Sequence, residues 1–236
     1  IYELDLAGKH LPVYIQKNEK NGEEQETQLE AITNYVATYC KKNSIEKLPG
    51  ICLPPLEELI SFNENEVAYD KINTIVNLGV YDDPDNQYQG KALLDISMGN
   101  TVIIGSSQYG KTNLLQLIIR SIVSSYCPSE VNLYILDFAS MALNVFFGIN
   151  HIGGIISAAE DEKLKNFMRM IRREMKVRKE KFASLGITSF SSYKEAGYAD
   201  IQQIVIIVDN FLALKELYPE YEDDVIIICR EGVSIG

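Results

Sequence analysis

The sequence predicts an α/β fold with a mostly parallel sheet flanked by helices. Three observations lead there. From about Val67 onward, apolar runs of strand length alternate with segments of helical period. The runs "VNLYILDF" (131–138) and "IQQIVIIVDNF" (201–211) are apolar almost without interruption, as strands covered on both faces are. Between them, Leu164, Met168, Ile171, Met175 and Phe182 recur along one face of a long helix spanning about 160–182.

Taken in order, residues 11–16 ("LPVYIQ") read as a strand and 17–26 as a charged, glycine-containing loop. From Thr27 to Lys42, Leu29, Ile32, Val36, Tyr39 and Cys40 fall at three- and four-residue spacing, so an amphipathic helix is expected. "LPGICLPP" (48–55) punctuates, because Pro54 and Pro55 cannot continue a helix, and a short helix over "LEELISF" follows. Residues 72–82 read as a strand broken at Gly79, 82–90 as a turn-rich loop, 91–96 and 100–105 as two more strands, and 111–126 as a helix. A last helix is expected to stop near Gly232, since glycine ends helices readily. The natural division is a linker segment over 1–66 and one α/β domain over 67–236.

Composition sets the outer bounds. Apolar residues make up 46% of the chain and charged residues 23%, enough for a packed core. No apolar run approaches the roughly 18 residues that span a bilayer. The opening "IYELDLAGKH" lacks the basic start and apolar middle of a signal peptide and reads as the interior of a longer chain. Cys40, Cys52, Cys127 and Cys229 are far apart, and two histidines are too few to complete metal sites with them, so buried or partly buried reduced thiols are expected, as suits the cytosol. Net charge is −11 and uneven: residues 1–100 hold 8 Lys/Arg against 17 Asp/Glu. Nucleic-acid binders draw much of their affinity from basic faces, so no nucleic-acid partner is expected.

The strongest local signal is "GSSQYGKT" (105–112). Gly105, Gly110, Lys111 and Thr112 fit G-x-x-x-x-G-K-[ST] without a mismatch. Glycines let the backbone turn several N–H groups inward, including those of Ser106, Ser107, Gln108 and Tyr109, toward phosphate oxygens. The following helix adds its positive end. Lys111 is expected to reach the β- and γ-phosphates, and the Thr112 hydroxyl to sit on Mg²⁺.

A hydrolytic site also needs an apolar strand ending in an acid on the Mg²⁺ side, which "IVIIVDN" supplies as Asp209. Multimeric motor ATPases usually place Glu next, as the base that activates water. Here the residue is Asn210, whose amide can orient a water but cannot take its proton. Losing a general base costs about 10²–10⁴ in rate. Binding with slow or regulatory hydrolysis is therefore expected. Glu160 or Asp161 could stand in as base, though both also read as start-of-helix charges. Asp137 closes "LYILDF" and reads equally as a second Mg²⁺-side carboxylate or as a strand-end residue. The 84–90 loop is the candidate for contact with adenine.

Other nucleotide classes lack their marks: there is no N-K-x-D for guanine and no L-S-G-G-Q. "RMIRREMKVRKEK" (169–181) is basic, but its charges fall mainly on the outer face of the long helix. The landmarks "NLGVYDDPDNQYQGKALLDISMGNTVIIGSSQYGKTNLLQ", "LYILDF", "REMKVRKEKFASLGITSFSSYKE", "IVIIVDNF" and "REGVSIG", in that order, resemble the FtsK/SpoIIIE-like ATPases, and within them the type VII secretion branch (EssC/EccC). The resemblance covers about residues 67–236. It implies a RecA-like P-loop NTPase fold, ATP and Mg²⁺ as ligands, and further ATPase modules in the same chain behind a membrane anchor, at the cytoplasmic face of the cell membrane. It also implies a hexameric ring, small helical WxG-type proteins as cargo, and a further strand after the last helix. By position, Gly105, Gly110, Lys111 and Thr112 are the phosphate loop and Asp209 the Mg²⁺-side acid. Two positions depart from the pattern: Asn210 replaces the hydrolytic Glu, and Val233 replaces a second Arg where Arg230 is kept. A nucleotide-independent cargo-docking module and a DNA-translocating motor are the rival readings.

Overall fold

A computed structural model describes residues 2–4, 10–12, 27–46, 52–62 and 69–236. The chain forms two compact units, Ile1–Ile51 and Cys52–Gly236. In the first, strands β1 (Tyr2–Leu4) and β2 (His10–Pro12) pair antiparallel. The rest of the expected 11–16 strand and the 17–26 loop lie outside the described residues. Helix α1 (Gln28–Lys42) opens on a capping box: the Thr27 hydroxyl accepts from the Glu30 N–H at 3.2 Å, and the Glu30 carboxylate accepts from the Thr27 N–H at 2.6 Å. Lys41 and Lys42 complement the negative end. Its apolar face, Leu29, Ile32, Tyr35 and Val36, is exposed.

The second unit is built on a parallel sheet of three strands in the order β6 (Ile152–Ser157), β5 (Val131–Asp137), β7 (Gln203–Asp209). The side-chain period of two divides β5 between two cores. Val131, Leu133 and Ile135 pack with Ile118, Ile119 and Ile122 of helix α2 (Lys111–Ser125) and with Val76 of a separate antiparallel hairpin, β3 (Ile75–Asp83) and β4 (Tyr88–Asp95). Leu136 and the half-buried Tyr134 face Leu164, Phe167, Ile171 and Phe182 of helix α3 (Asp161–Leu185), with Phe190 of α4 (Phe190–Glu195), Leu214 of α5 (Phe211–Leu217) and Ile235 of α6 (Glu222–Ile235). The five residues expected on the inner face of α3 are all buried. Its basic residues face solvent except Lys181, which is half-buried over the Tyr193 ring, and Arg178, which is buried and donates to Glu174 and to the carbonyls of Ile235 and Gly236.

Several expectations are corrected. Residues 100–105 are irregular rather than a strand. They keep the alternation, with Ile103 packed inward and Val102 and Ile104 at 78% and 90% exposure. Among the described residues no strand pairs with them, and alternation without a ladder partner leaves backbone groups to water. "LEELISF" is not helical: seven residues are too few to repay nucleation without packing, and Leu59 is 80% exposed. The strands of the hairpin run on into the expected 82–90 loop and leave only 84–87 as turn, while the expected break at Gly79 is real: φ is +136° and the register shifts there. Helix α6 runs through Gly232 to Ile235, because Ile235 is buried and Arg178 holds the last carbonyls; Gly236 takes the positive φ instead. Cys52, Cys127 and Cys229 are exposed and Cys40 is partly buried, all as free thiols, so the expected burial fails for three of the four. No helix among the described residues is long and apolar enough to cross a membrane.

Leu133 is fully buried on the central strand whereas Val102 is open to water. In denaturant unfolding, Leu133→Ala is expected to cost about 2–5 kcal/mol. Val102→Thr is expected to stay within about 0.5 kcal/mol of the parent.

Candidate nucleotide site

The candidate loop turns on two left-handed residues, Gln108 (φ +65°) and Gly110 (φ +78°, ψ +16°). Gly110 is also the residue at which α2 starts, and it carries no side chain to cap the helix. The first N–H groups of α2 therefore have no capping acceptor, and the positive end of a 15-residue helix opens at the loop. Ser106, Ser107, Gln108 and Tyr109 are exposed along it.

Lys111 closes the loop on itself. Its Nζ donates to the carbonyl of Gly105 at 2.9 Å and to that of Ser106 at 2.8 Å. An ammonium has three N–H donors, so two hold the loop curved and one remains for an anion. The cradle thus has its shape from the side chain that would also meet the phosphates.

The second half of the site stands on the strand ends. Thr112 Oγ1 donates to Asp209 Oδ2 at 2.9 Å, joining the first turn of α2 to the end of β7. Asp209 is 6% exposed. One hydroxyl and one carboxylate, side by side at the first turn of α2, are oxygen donors of the kind that Mg²⁺ takes when it binds together with a nucleotide. Among the described residues no three His, Cys, Asp or Glu gather into a metal cage. Thr112 and Asp209 would hold such a metal together with oxygens from outside the chain, and it would supply charge neutralisation there.

Asn210 serves the backbone. It lies in the left-handed region (φ +64°, ψ +66°), which Asn tolerates better than Glu does. Its Oδ1 accepts from the Ala213 N–H at 3.4 Å as the N-cap of α5, and its Nδ2 reaches the Phe138 carbonyl at 3.5 Å. Both ends of the amide are turned onto main chain.

Asp137 lies opposite Asp209 in the β5–β7 register and is 2% exposed. Its Oδ1 accepts from the N–H groups of Ala139 (3.1 Å) and Met141 (3.2 Å), and its Oδ2 from Leu143 (3.1 Å). Of the two roles open to it, the geometry is that of a strand-end residue organising the loop behind it. The sequence did hold a signal for this, since Asp bonded to the N–H two residues on is a common turn former.

Glu160 and Asp161 stand at the start of α3. Glu160 accepts from the Ser157 N–H and hydroxyl and pairs with Lys163; the Lys163 hydrogen bond, then that of the Ser157 N–H, hold its carboxyl below the usual carboxylate range. Asp161 accepts from the Tyr218 hydroxyl, and that bond, with burial adding to it, pushes the phenol up to about 12. β6, which leads to them, is separated from β7 by β5, about 10 Å across two strand spacings. They are helix-start charges. The 84–90 segment is tied to other backbone: Gln87 accepts from the Leu53 N–H at 2.9 Å and Gln89 donates to the Pro54 carbonyl at 2.7 Å. Arg230 is exposed and pairs with Glu231.

The chain matches the FtsK/SpoIIIE family model over residues 69–232. It is 28% identical over 222 residues to the type VII secretion system protein EssC of Staphylococcus aureus, covering 90% of this chain and 15% of that protein. It superposes on a solved EssC structure (ATPases 2 and 3) from Geobacillus thermodenitrificans with a TM-score of 0.70 at 26% identity, over 78% of this chain and 35% of that one. It also superposes on Thermomonospora curvata EccC (ATPases 2 and 3), solved in complex with a signal sequence peptide, with a TM-score of 0.64 at 25% identity over 70% of this chain and 31% of that one. The chain spans about 14–15% of the length of the curated relatives it matches.

Because its folded pKa is depressed, the Glu160 carboxylate contributes stability above its unfolded pKa of 4.5 and loses it as pH falls below that value. Thermal melts from pH 7 to pH 3 are expected to show a smaller acid loss for Glu160→Gln than for the parent, with ATP-induced stabilisation at pH 7 unchanged.

Proposed function

The chain belongs to the FtsK/SpoIIIE family, and from that premise we propose that it is an ATP–Mg²⁺-binding module of a type VII secretion ATPase in which binding matters more than turnover. The observation that carries this reading is the contrast between two neighbouring residues. Thr112 and Asp209 meet at 2.9 Å beside the loop curved by Lys111. Asn210, where a hydrolytic Glu is expected, is committed to capping α5. In this proposal Gly105, Ser106, Ser107, Gln108, Tyr109 and Gly110 supply backbone donors to phosphate, Lys111 neutralises charge, and Thr112 and Asp209 hold the metal side. Water is not deprotonated by Asn210, so hydrolysis by the domain alone is slow.

The longer protein is proposed to be membrane-anchored with its ATPase modules on the cytoplasmic face. Its partners would be other modules of the same chain, equivalent copies in a hexameric ring, and small helical WxG-type cargo. One observation favours cargo docking by this module as a second reading. A small crevice lies between α5 and α6, lined by Phe211, Leu214, Tyr218, Tyr221 and Val225 and by the Lys215–Glu222 ion pair. A relative was solved with a signal sequence peptide, and the crevice, at about 10 Å³, would have to widen before it could take a side chain of such a peptide. DNA translocation is disfavoured by the −11 net charge.

Titration with labelled ATP and a phosphate-release assay test the main reading. The parent is expected to bind ATP more tightly with Mg²⁺ than in EDTA and with little release, Lys111→Ala to abolish binding, and Asn210→Ala to leave release unchanged. Release at motor-like rates that Asn210→Ala abolishes would overturn it. If Lys111→Ala leaves both the ATP-induced melting shift and secretion at parent levels, docking without nucleotide is the better account.

A further inference from the structure

The segment between β5 and the turn at 142–146 touches both halves of the candidate site, and one buried carboxylate sets its shape. The Phe138 N–H donates to the Asp209 carbonyl at 3.1 Å, and Asn210 Nδ2 approaches the Phe138 carbonyl at 3.5 Å. Four residues on, the Ala142 carbonyl accepts from Gln116 Nε2 at 3.2 Å, one turn along α2 from Thr112. Next to it, Leu143 is fully buried in the core that α2 shares with β5. So 138–143 is a clasp, fixed to the end of β7 at one end and to α2 at the other. Those are the two elements whose side chains meet as Thr112 and Asp209.

Asp137 determines the path of this clasp. Its carboxylate accepts three N–H groups from residues 139, 141 and 143, and Met141 between them is held at φ +58°. A non-glycine residue in that region needs compensation from its surroundings. An ionised carboxylate is acceptor-only, which suits three converging donors; a carboxamide would turn an NH₂ toward at least one of them.

We infer that Asp137 is a positioning residue for the metal side of the site: through residues 138–143 and Gln116 it fixes the spacing of Thr112 and Asp209, and it does not touch the metal. This rests on the ATP–Mg²⁺ reading above. Groups that orient metal-side ligands from behind typically alter metal affinity about 10–100-fold when replaced. The clasp predicts the same sign of effect from either of its ends.

The test titrates Mg²⁺ at saturating ATP and follows the ATP-induced melting shift in the parent, Asp137→Asn, Gln116→Leu and the double variant. Both single variants are expected to raise the Mg²⁺ half-saturation point about tenfold. Binding of ATP in EDTA should stay within about twofold, because the phosphate loop is untouched. The double variant should be no weaker than the worse single one, since both cut one path. Gln116→Leu leaves the carboxylate in place, so it carries the test even if Asp137→Asn fails to fold. A parent with no Mg²⁺-dependent stabilisation overturns the site reading and this inference together. A parent that binds normally, with both variants at the parent's half-saturation whatever their ligand-free melting temperature, overturns the inference alone. So does a loss confined to Asp137→Asn, which would make the carboxylate a direct ligand.

Discussion

The parallel pairing of β5 with β7 is the constraint on which the rest depends. Its register sets Asp137 beside Asp209 at the strand ends, both almost fully buried. Two carboxylates in such positions cannot share one environment cheaply, because each must find hydrogen-bond donors or a counter-charge. The fold separates them by donor type. Asp137 takes three main-chain N–H groups and becomes part of the scaffold, whereas Asp209 takes the Thr112 hydroxyl at the first turn of α2. The same apolar ladder that buries Leu133 and Ile135 therefore also delivers the acid to the helix terminus, and core packing and site geometry are one construction.

The chemistry at Asn210 follows from backbone conformation as much as from side-chain identity. Position 210 is left-handed and caps a seven-residue helix. Asn meets both demands with a short side chain whose carbonyl reaches the Ala213 N–H. A base for water would have to extend away from the main chain, while this side chain folds back onto it. The local structure thus uses the Asn210 amide to hold main chain.

Much of this was legible in the sequence, and what was not has physical causes. Apolar runs at 131–138 and 201–211, the inner face of the long helix, and the G-x-x-x-x-G-K-T loop all correspond to observed elements. Their signals are local and strongly periodic. β6 escaped notice because Gly153 and Gly154 dilute its apolar character; a Cβ on Gly153 would meet the Tyr134 ring at 2.5 Å, so glycine is there for a contact no local pattern reveals. The 100–105 segment misled in the opposite way, since alternation reports which face is apolar but says nothing of a partner's presence. The Thr112–Asp209 pair could be anticipated from motif logic, but the Gln116–Ala142 link joins residues 26 apart through a carbonyl, and carbonyls carry no sequence signal.

The missing ladder at 100–105 bears on what Lys111 does. A phosphate loop that emerges from a paired strand has its entry fixed by that strand's hydrogen bonds. Here Val102 and Ile104 are exposed and Ile103 packs inward, so the upstream side of the loop is held by that apolar contact, by the Asn100 amide donating to the Cys229 carbonyl at 2.6 Å, and by the Lys111 bonds to Gly105 and Ser106. On the proposed reading Lys111 is then a structural brace as well as a charge for phosphate. Removing it would release the loop and remove the cation in one step, so the resulting loss of binding combines two effects. A Lys111→Arg variant separates them. It keeps the charge, but its planar guanidinium cannot direct donors to two adjacent carbonyls and a phosphate as a tetrahedral ammonium can. If bracing dominates, Arg should bind ATP nearly as poorly as Ala does.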